Sequence, residues 1–359
     1  MTTDTPTPSP TLNDEATPKL STLDRLLPVW IGSAMVGGIL LGRLIPDLND
    51  TLDKVKVDTV SLPIAIGLLA MMYPVLAKVR YRGISAELGD RRTMGLSLVL
   101  NWVVGPALMF TLAWVFLGDL PELRTGLIIV GLARCIAMVL IWNDLACGNS
   151  ELGAVLVAVN SVFQIVMYTV LGWFYLDLLP GWLGLETQSL DVGMWPIAKS
   201  VLIFLGIPLV AGFLTRTILE AGKGTDWYEH SFLPRIGPIA LYGLLFTIVV
   251  LFSLQGDQIL DRPLDVARVA VPLLIYFTLM WFGSFGAGYR LGLPYDRNTS
   301  VAFTAAGNNF ELGIAVAIAV FGVTSGQALA GTIGPLIEVP VLVGLVYVAL
   351  WAKRRWYGG

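Results

Sequence analysis

The chain has 359 residues, of which 55% are hydrophobic and only 14% charged, and its mean hydropathy is +0.74. Soluble domains carry roughly a quarter charged residues, and here the apolar excess is gathered into blocks about 20 residues long, the span of a bilayer-crossing helix. This excludes a soluble globular protein. The net charge of −3 says little, because the placement of Lys and Arg matters more in a membrane protein than their sum.

Residues 1–24 are rich in Pro, Thr and Asp, have no apolar run, and predict a disordered tail rather than a signal peptide. Ten apolar stretches follow, at 26–46, 60–79, 94–118, 122–147, 152–179, 195–219, 236–255, 266–291, 297–321 and 329–352. The expected fold is an all-α polytopic membrane protein with ten transmembrane helices. With both termini assigned to the cytoplasm, 15 Lys and Arg lie inside and 7 outside, leaving Arg134 within a span. That bias predicts cytoplasmic termini in a cell (inner or plasma) membrane, with the loop 180–194, which has no Lys or Arg, outside.

The two halves of the chain, 25–180 and 195–356, resemble each other. LPIAIGLLAMM (62–72) matches GPIALYGLLFT (237–247), GGILLGRLI (37–45) matches VAGFLTRTI (210–218), and NSVFQIVMYTVLGWFYL (160–176) matches GPLIEVPVLVGLVYVAL (334–350), at offsets of 173 to 175. The last match sets Gln164 over Glu338. Five spans per half force the second copy to enter the membrane upside down, a 5+5 inverted repeat of the kind transporters use. Extending the register to 176 sets Cys135 over Glu311. Both sit where polar and small residues interrupt a span, GLARC in the first half and GNNFE in the second. Such interruptions predict broken helices in spans 4 and 9 that cross near the bilayer midplane, with Cys135 and Glu311 near one site.

GLARCIAMVLIWNDLA (131–146), AGNNFELGIAVAIA (306–319) and GPLIEVPVLVGLVY (334–347) closely resemble the Acr3 family of arsenite efflux permeases, over residues 26–351. The resemblance implies the ten-span inverted-repeat fold shared with sodium–bile acid symporters, and arsenite export driven by proton entry, with antimonite as an open second substrate. It carries the family's essential cysteine to Cys135 and its span-9 glutamate to Glu311.

The residues agree with that chemistry. Arsenite at neutral pH is small, uncharged and thiophilic, and a single thiol offers recognition with release. Twelve residues separate Cys135 from Cys147, about 18 Å along a helix and on different faces, so one As(III) atom is expected to meet Cys135 alone. Arg134 next to it would favour the thiolate. Glu311, ionisable within a span, is expected to carry protons or to pair with Arg134. Asn308 and Asn309 can bind arsenic hydroxyls or cap the broken helix. Glu338, two residues before Pro340, is a second proton-carrier candidate or a structural group. Asn143 and Asp144 read as interfacial.

The runner-up is a sodium-coupled organic anion symporter on the same fold. Enzyme chemistry is excluded by the lack of a GxGD aspartate pair or an HExxH helix, with His230 the single histidine. No GxxxxGK[ST] loop occurs, so no ATP drive is intrinsic and no separate ATPase subunit is required; no cofactor and no nucleic acid are expected.

Overall fold

The computed structural model describes residues 27–45, 56–57, 60–79, 90–136, 138–185 and 194–358; the expected tail at 1–24 and most of the loop 180–194 lie outside them. The described chain is almost wholly helical. Helix α1 spans Leu27–Leu44, and a small antiparallel hairpin of β1 (Lys56–Val57) and β2 (Val60–Ser61) leads into α2, Leu62–Ala77. Then come α3 (Arg91–Leu117), α4 (Pro121–Leu132), α5 (Met138–Leu145), α6 (Ser150–Trp182) and α7 (Trp195–Lys223). The second half continues with α8 (Leu233–Asp261), α9 (Pro263–Arg290), α10 (Tyr295–Ala306), α11 (Phe310–Phe321) and α12 (Gly326–Trp356).

Among the described residues six helices are long and apolar enough to cross a membrane: α3, α6, α7, α8 with the turn before it, α9 and α12. Shorter apolar helices, α1, α2 and α11, accompany them. Large apolar side chains such as Val36, Val115, Val166, Ile218 and Leu264 stay more than half exposed, which water would penalise and lipid does not. This is a multi-pass membrane protein. The stretches 122–147 and 297–321 each hold two helices, interrupted at 133–136 and 307–309.

Proline explains much of the local geometry. A wide π turn occurs at Leu100–Val104, Phe174–Leu178, Leu202–Gly206 and Tyr228–Phe232, and each is followed two residues later by a proline: Pro106, Pro180, Pro208 and Pro234. Proline has no N–H for the carbonyl four residues back and its ring clashes with that carbonyl; widening the preceding turn lets the helix continue.

Helix α8 packs on α1 and α2, and α7 packs on α2. Glycines allow the close approach: a Cβ at Gly38 would meet the Val249 carbonyl at 2.6 Å, and one at Gly243 would meet the Met71 nitrogen at 2.9 Å. On the other side α9 packs on α10, and α12 on α4, α9 and α11. Trp281 of α9 stacks on Phe285 at 4.8 Å and meets Phe303 of α10 edge-on at 5.9 Å. At the start of α3, Asp90 caps the helix, accepting from the Thr93 N–H at 3.2 Å and hydroxyl at 2.7 Å, and pairs with Arg297 of α10 at 2.9 Å. The Thr93 hydroxyl first, and Arg297 with smaller effect, hold the Asp90 carboxyl below the usual carboxylate range.

Candidate substrate site at the helix crossing

Helix α4 ends at Leu132 because Ala133 leaves helical space for an extended conformation, φ −85° and ψ 125°. Helix α10 ends in the same way at Gly307, φ −71° and ψ 143°. The two short extended segments pair with each other antiparallel, with Arg134 opposite Asn308. The Cys135 N–H donates to the Gly307 carbonyl at 3.3 Å and the Asn309 N–H to the Ala133 carbonyl at 3.1 Å. Each break thereby supplies an acceptor for one N–H that the other break released, a group that would otherwise cost about 1–3 kcal/mol when buried.

The crossing is tight. Cys135 is 3% exposed, and a Cβ built on Gly307 would lie 2.9 Å from the Cys135 Cβ and 3.5 Å from its Sγ. Glycine at 307 is what admits the thiol. Arg134 is fully buried; its guanidinium donates to the Tyr276 hydroxyl of α9 at 2.9 Å and to the Gly131 carbonyl. A Cβ on Gly105 of α3 would meet that guanidinium at 2.6 Å, so a second glycine makes room for the cation.

The crossing brings together the six side chains expected to form the site, with Glu311 near enough to Glu338 for the two to interact electrostatically. Cys135, Arg134, Asn308 and Asn309 lie on the paired segments, and Glu338 of α12 accepts from the Asn308 N–H at 3.3 Å. Glu311 stands in the first turn of α11, partly exposed, two residues past Asn309. Asn309 is the cap of that helix, its side-chain Oδ1 accepting from the Leu312 N–H at 3.0 Å. Several buried polar atoms here have no partner in the protein: Arg134 Nε, Gln164 Nε2, Asn309 Nδ2 and both side-chain heteroatoms of Asn308. Buried polar groups are normally paired, so this concentration marks a place built to meet a polar guest.

Three sequence expectations need correction. Arg134 forms no ion pair with Glu311; its guanidinium is bonded to Tyr276 and Gly131 instead. The local register is 174, not 176: the bond from the Cys135 N–H to the Gly307 carbonyl is repeated 174 residues on by the bond from the Asn309 N–H to the Ala133 carbonyl, about the Arg134–Asn308 bridge. Asn143 is 1% exposed rather than interfacial, and its side-chain oxygen accepts from the Ser300 hydroxyl at 2.9 Å. Cys147, half-buried beyond the end of α5, takes a left-handed backbone (φ 54°) and forms no part of the crossing. Neither cysteine is in a disulfide. Clefts of about 570 and 450 Å³ open at helix ends, beside Arg290 and Trp356 and beside Glu122 and Arg262; none of the crossing residues lines them.

Comparison with known proteins decides the family. Residues 65–262 match the Sodium Bile acid symporter family. The chain is 61% identical to the arsenical-resistance protein Acr3 of Corynebacterium glutamicum, over 93% of this chain and 90% of that one. It is 32% identical to the Acr3 of Alkaliphilus metalliredigens, over 93% and 94%, and 37% identical to an uncharacterised transporter of Synechocystis, over 93% and 91%. The chain belongs to the Acr3 family, within the sodium–bile acid symporter family. Members of these families are membrane transporters, and this protein is a transporter rather than an enzyme.

Within this Acr3-family chain, sequence reasoning missed Tyr276 and the polar pair Asn101 and Asn160. Asn160, 2% exposed, accepts from the Trp102 indole at 3.2 Å one helical turn before Gln164. The signal was present: two amides four residues apart inside an apolar span are costly unless they have work to do. Tyr276 carried none, since an aromatic residue within a span reads as ordinary core.

Proposed function

We propose that this protein exports arsenite from the cytoplasm in exchange for protons, through ten spans arranged as two inverted five-helix repeats, 25–180 and 195–356. The observation that carries the reading is the hydrogen-bonded crossing, which sets the Cys135 thiol against Gly307 and near side-chain atoms of Arg134, Gln164, Asn308 and Asn309 that have no partner among the described residues. In this reading Cys135 is the transient As(III) ligand and Asn308 and Asn309 hydrogen-bond the arsenic hydroxyls. Arg134 shapes the site through Tyr276, and Glu311 carries the proton with Glu338 as the alternative carrier. One thiol with neutral hydrogen-bonding groups binds a neutral hydroxide tightly enough to select it and weakly enough to release it. The local 174-residue symmetry of the crossing supports the inverted repeat. Antimonite, with the same valence and thiol affinity, fits the same site.

Arsenite release outward lets Glu311 take a proton, and proton release inward readmits arsenite, so the two are not stably bound together. Everted vesicles with labelled arsenite test this. Wild type concentrates arsenite in response to an imposed pH gradient, whereas Glu311→Gln, a permanent mimic of the protonated acid, loses that response at equal protein level. An unchanged response in Glu311→Gln moves the proton role to Glu338. The match to the bile acid symporter family favours one other reading, a sodium-coupled organic anion symporter; a strict sodium requirement in the same vesicles with no arsenite uptake would select it. Cytoplasmic termini are proposed from the Lys and Arg distribution: a cysteine placed at Thr187 reacts with an impermeant maleimide from outside intact cells, and reaction only after permeabilisation reverses the orientation.

A further inference from the structure

Two hydrogen bonds at the crossing match one another. The Arg134 backbone N–H donates to Gln164 Oε1 of α6 at 2.8 Å, and the Asn308 backbone N–H donates to Glu338 Oε1 of α12 at 3.3 Å. Each acceptor lies 30 residues after its donor. The donors are 174 residues apart and so are the acceptors, the spacing that relates the rest of the crossing. Gln164 is fully buried and Glu338 is 2% exposed.

The need for such acceptors follows from the breaks. An extended segment between two helices frees N–H groups that no helix carbonyl can reach, and away from water each must find another oxygen. The pairing of the two breaks with each other satisfies Cys135 and Asn309. It leaves the N–H groups of the two central residues, Arg134 and Asn308, and a long side chain from α6 or α12 reaches in to accept each one. Gln164 therefore fixes the peptide that carries the Cys135 nitrogen's neighbour, and Glu338 fixes its counterpart beside Asn309. The two braces differ in length, 2.8 against 3.3 Å, and in that the side chain at 338 is ionisable. Since a neutral carboxamide suffices at one break, bracing calls for an acceptor oxygen and not for an ion, and the ionisable group at 338 exceeds what bracing alone demands.

We propose that Gln164 is a positioning residue of the transport site: its side-chain oxygen, matched by Glu338, holds the extended backbone that aims Cys135. The substrate part of this inference rests on the reading of Cys135 as the arsenite ligand.

The test uses the full-length protein with Cys147→Ser, so that one thiol remains. Three quantities are read: the alkylation rate of Cys135 by a small permeant maleimide, the KM and kcat for arsenite export, and elution as a single species in detergent. Gln164→Glu keeps the acceptor oxygen, so its alkylation rate and KM should stay within about threefold of the parent. Gln164→Leu removes the acceptor and should shift the alkylation rate and raise KM by about tenfold, the equivalent of one buried hydrogen bond. Should Gln164→Leu fail to elute as one species, Gln164→Asn, whose oxygen is drawn back by one methylene, carries the same expectation. A parent-like alkylation rate in Gln164→Leu or Gln164→Asn overturns the proposal. So does a Gln164→Glu protein that elutes normally yet behaves like Gln164→Leu, because the acceptor is then not what matters. A shifted alkylation rate with an unchanged KM upholds the brace and overturns Cys135 as the ligand, which keeps the two failures apart.

Discussion

The panel of α1, α2 and α8 and the crossing of α4–α5 with α10–α11 are both tightly packed, and they treat the backbone in opposite ways. In the panel the helices run through. Glycines bring backbones close, and Thr247 and Ser253 bond to their own helix, at the Gly243 carbonyl (2.8 Å) and the Val250 carbonyl (2.7 Å), while Tyr73 and Gln255 reach Thr215 and the Val323 carbonyl on neighbouring segments. Only Gln255 Oε1 of this panel is buried without a partner among the described residues, one atom against five at the crossing. At the crossing the helices stop, backbone bonds run between the two halves of the chain, and side-chain atoms of Arg134, Gln164, Asn308 and Asn309 are left without partners in the protein. Burial alone does not make a site; burial with polar groups the fold itself does not use does.

Glycine substitutions separate the two regions. The largest effect is expected at Gly307, where any Cβ collides with Cys135. Gly307→Leu should abolish arsenite export, and Gly307→Ala should lower it by about tenfold or more, because the collision is with a Cβ that cannot swing away. Export at the wild-type rate in Gly307→Ala would mean the thiol is not set by this contact. A smaller functional effect is expected from Gly42→Leu, which presses α1 against the Ser253 backbone of α8. Overpacking there should cost about 1–3 kcal/mol of stability, visible as a lower thermal transition, while Cys135 in the folded fraction keeps its alkylation rate. A changed rate would show that the panel and the crossing are not independent.

The smallest effect is expected outside both regions. Asp90→Ala removes the cap of α3 and the Arg297 partner and should cost about 1 kcal/mol with export intact. Because the Asp90 pKa is lowered on folding, its stabilisation is complete above the ordinary carboxylate range and fades as the pH falls through and below it. The gap in thermal transition between wild type and Asp90→Ala should therefore narrow toward acid; a constant gap would assign the loss to something other than the ionised cap.

The contrast between the regions also explains what the sequence reveals. Apolar run length is enough to place helices in every predicted stretch, and GLARC and GNNFE mark both breaks because glycine and amides inside a span have no other ready explanation. The register across the breaks is not legible in the same way. Helical similarity suggests offsets of 173 to 176, but an extended pair of segments is aligned by its own hydrogen bonds, and these select 174. That makes Asn309, not Glu311, the repeat mate of Cys135, and sets Gly307 opposite the thiol. The partner of Arg134 was also hidden: a buried guanidinium suggests a carboxylate, whereas here a tyrosine hydroxyl and a helix-end carbonyl accept from it. Gln164 was visible as the repeat mate of Glu338, yet its task appears only once the Arg134 N–H is seen to need an acceptor.

The central claim is that the crossing holds arsenite through Cys135 and no other thiol. The direct measurement is arsenite protection against alkylation, with labelled arsenite uptake by everted vesicles, in wild type, Cys135→Ser and Cys147→Ser. The account predicts that arsenite slows alkylation of Cys135, that Cys135→Ser abolishes uptake while remaining folded, and that Cys147→Ser transports close to the wild-type rate. Equal loss of uptake in the two variants, or protection of Cys147 in place of Cys135, would contradict it.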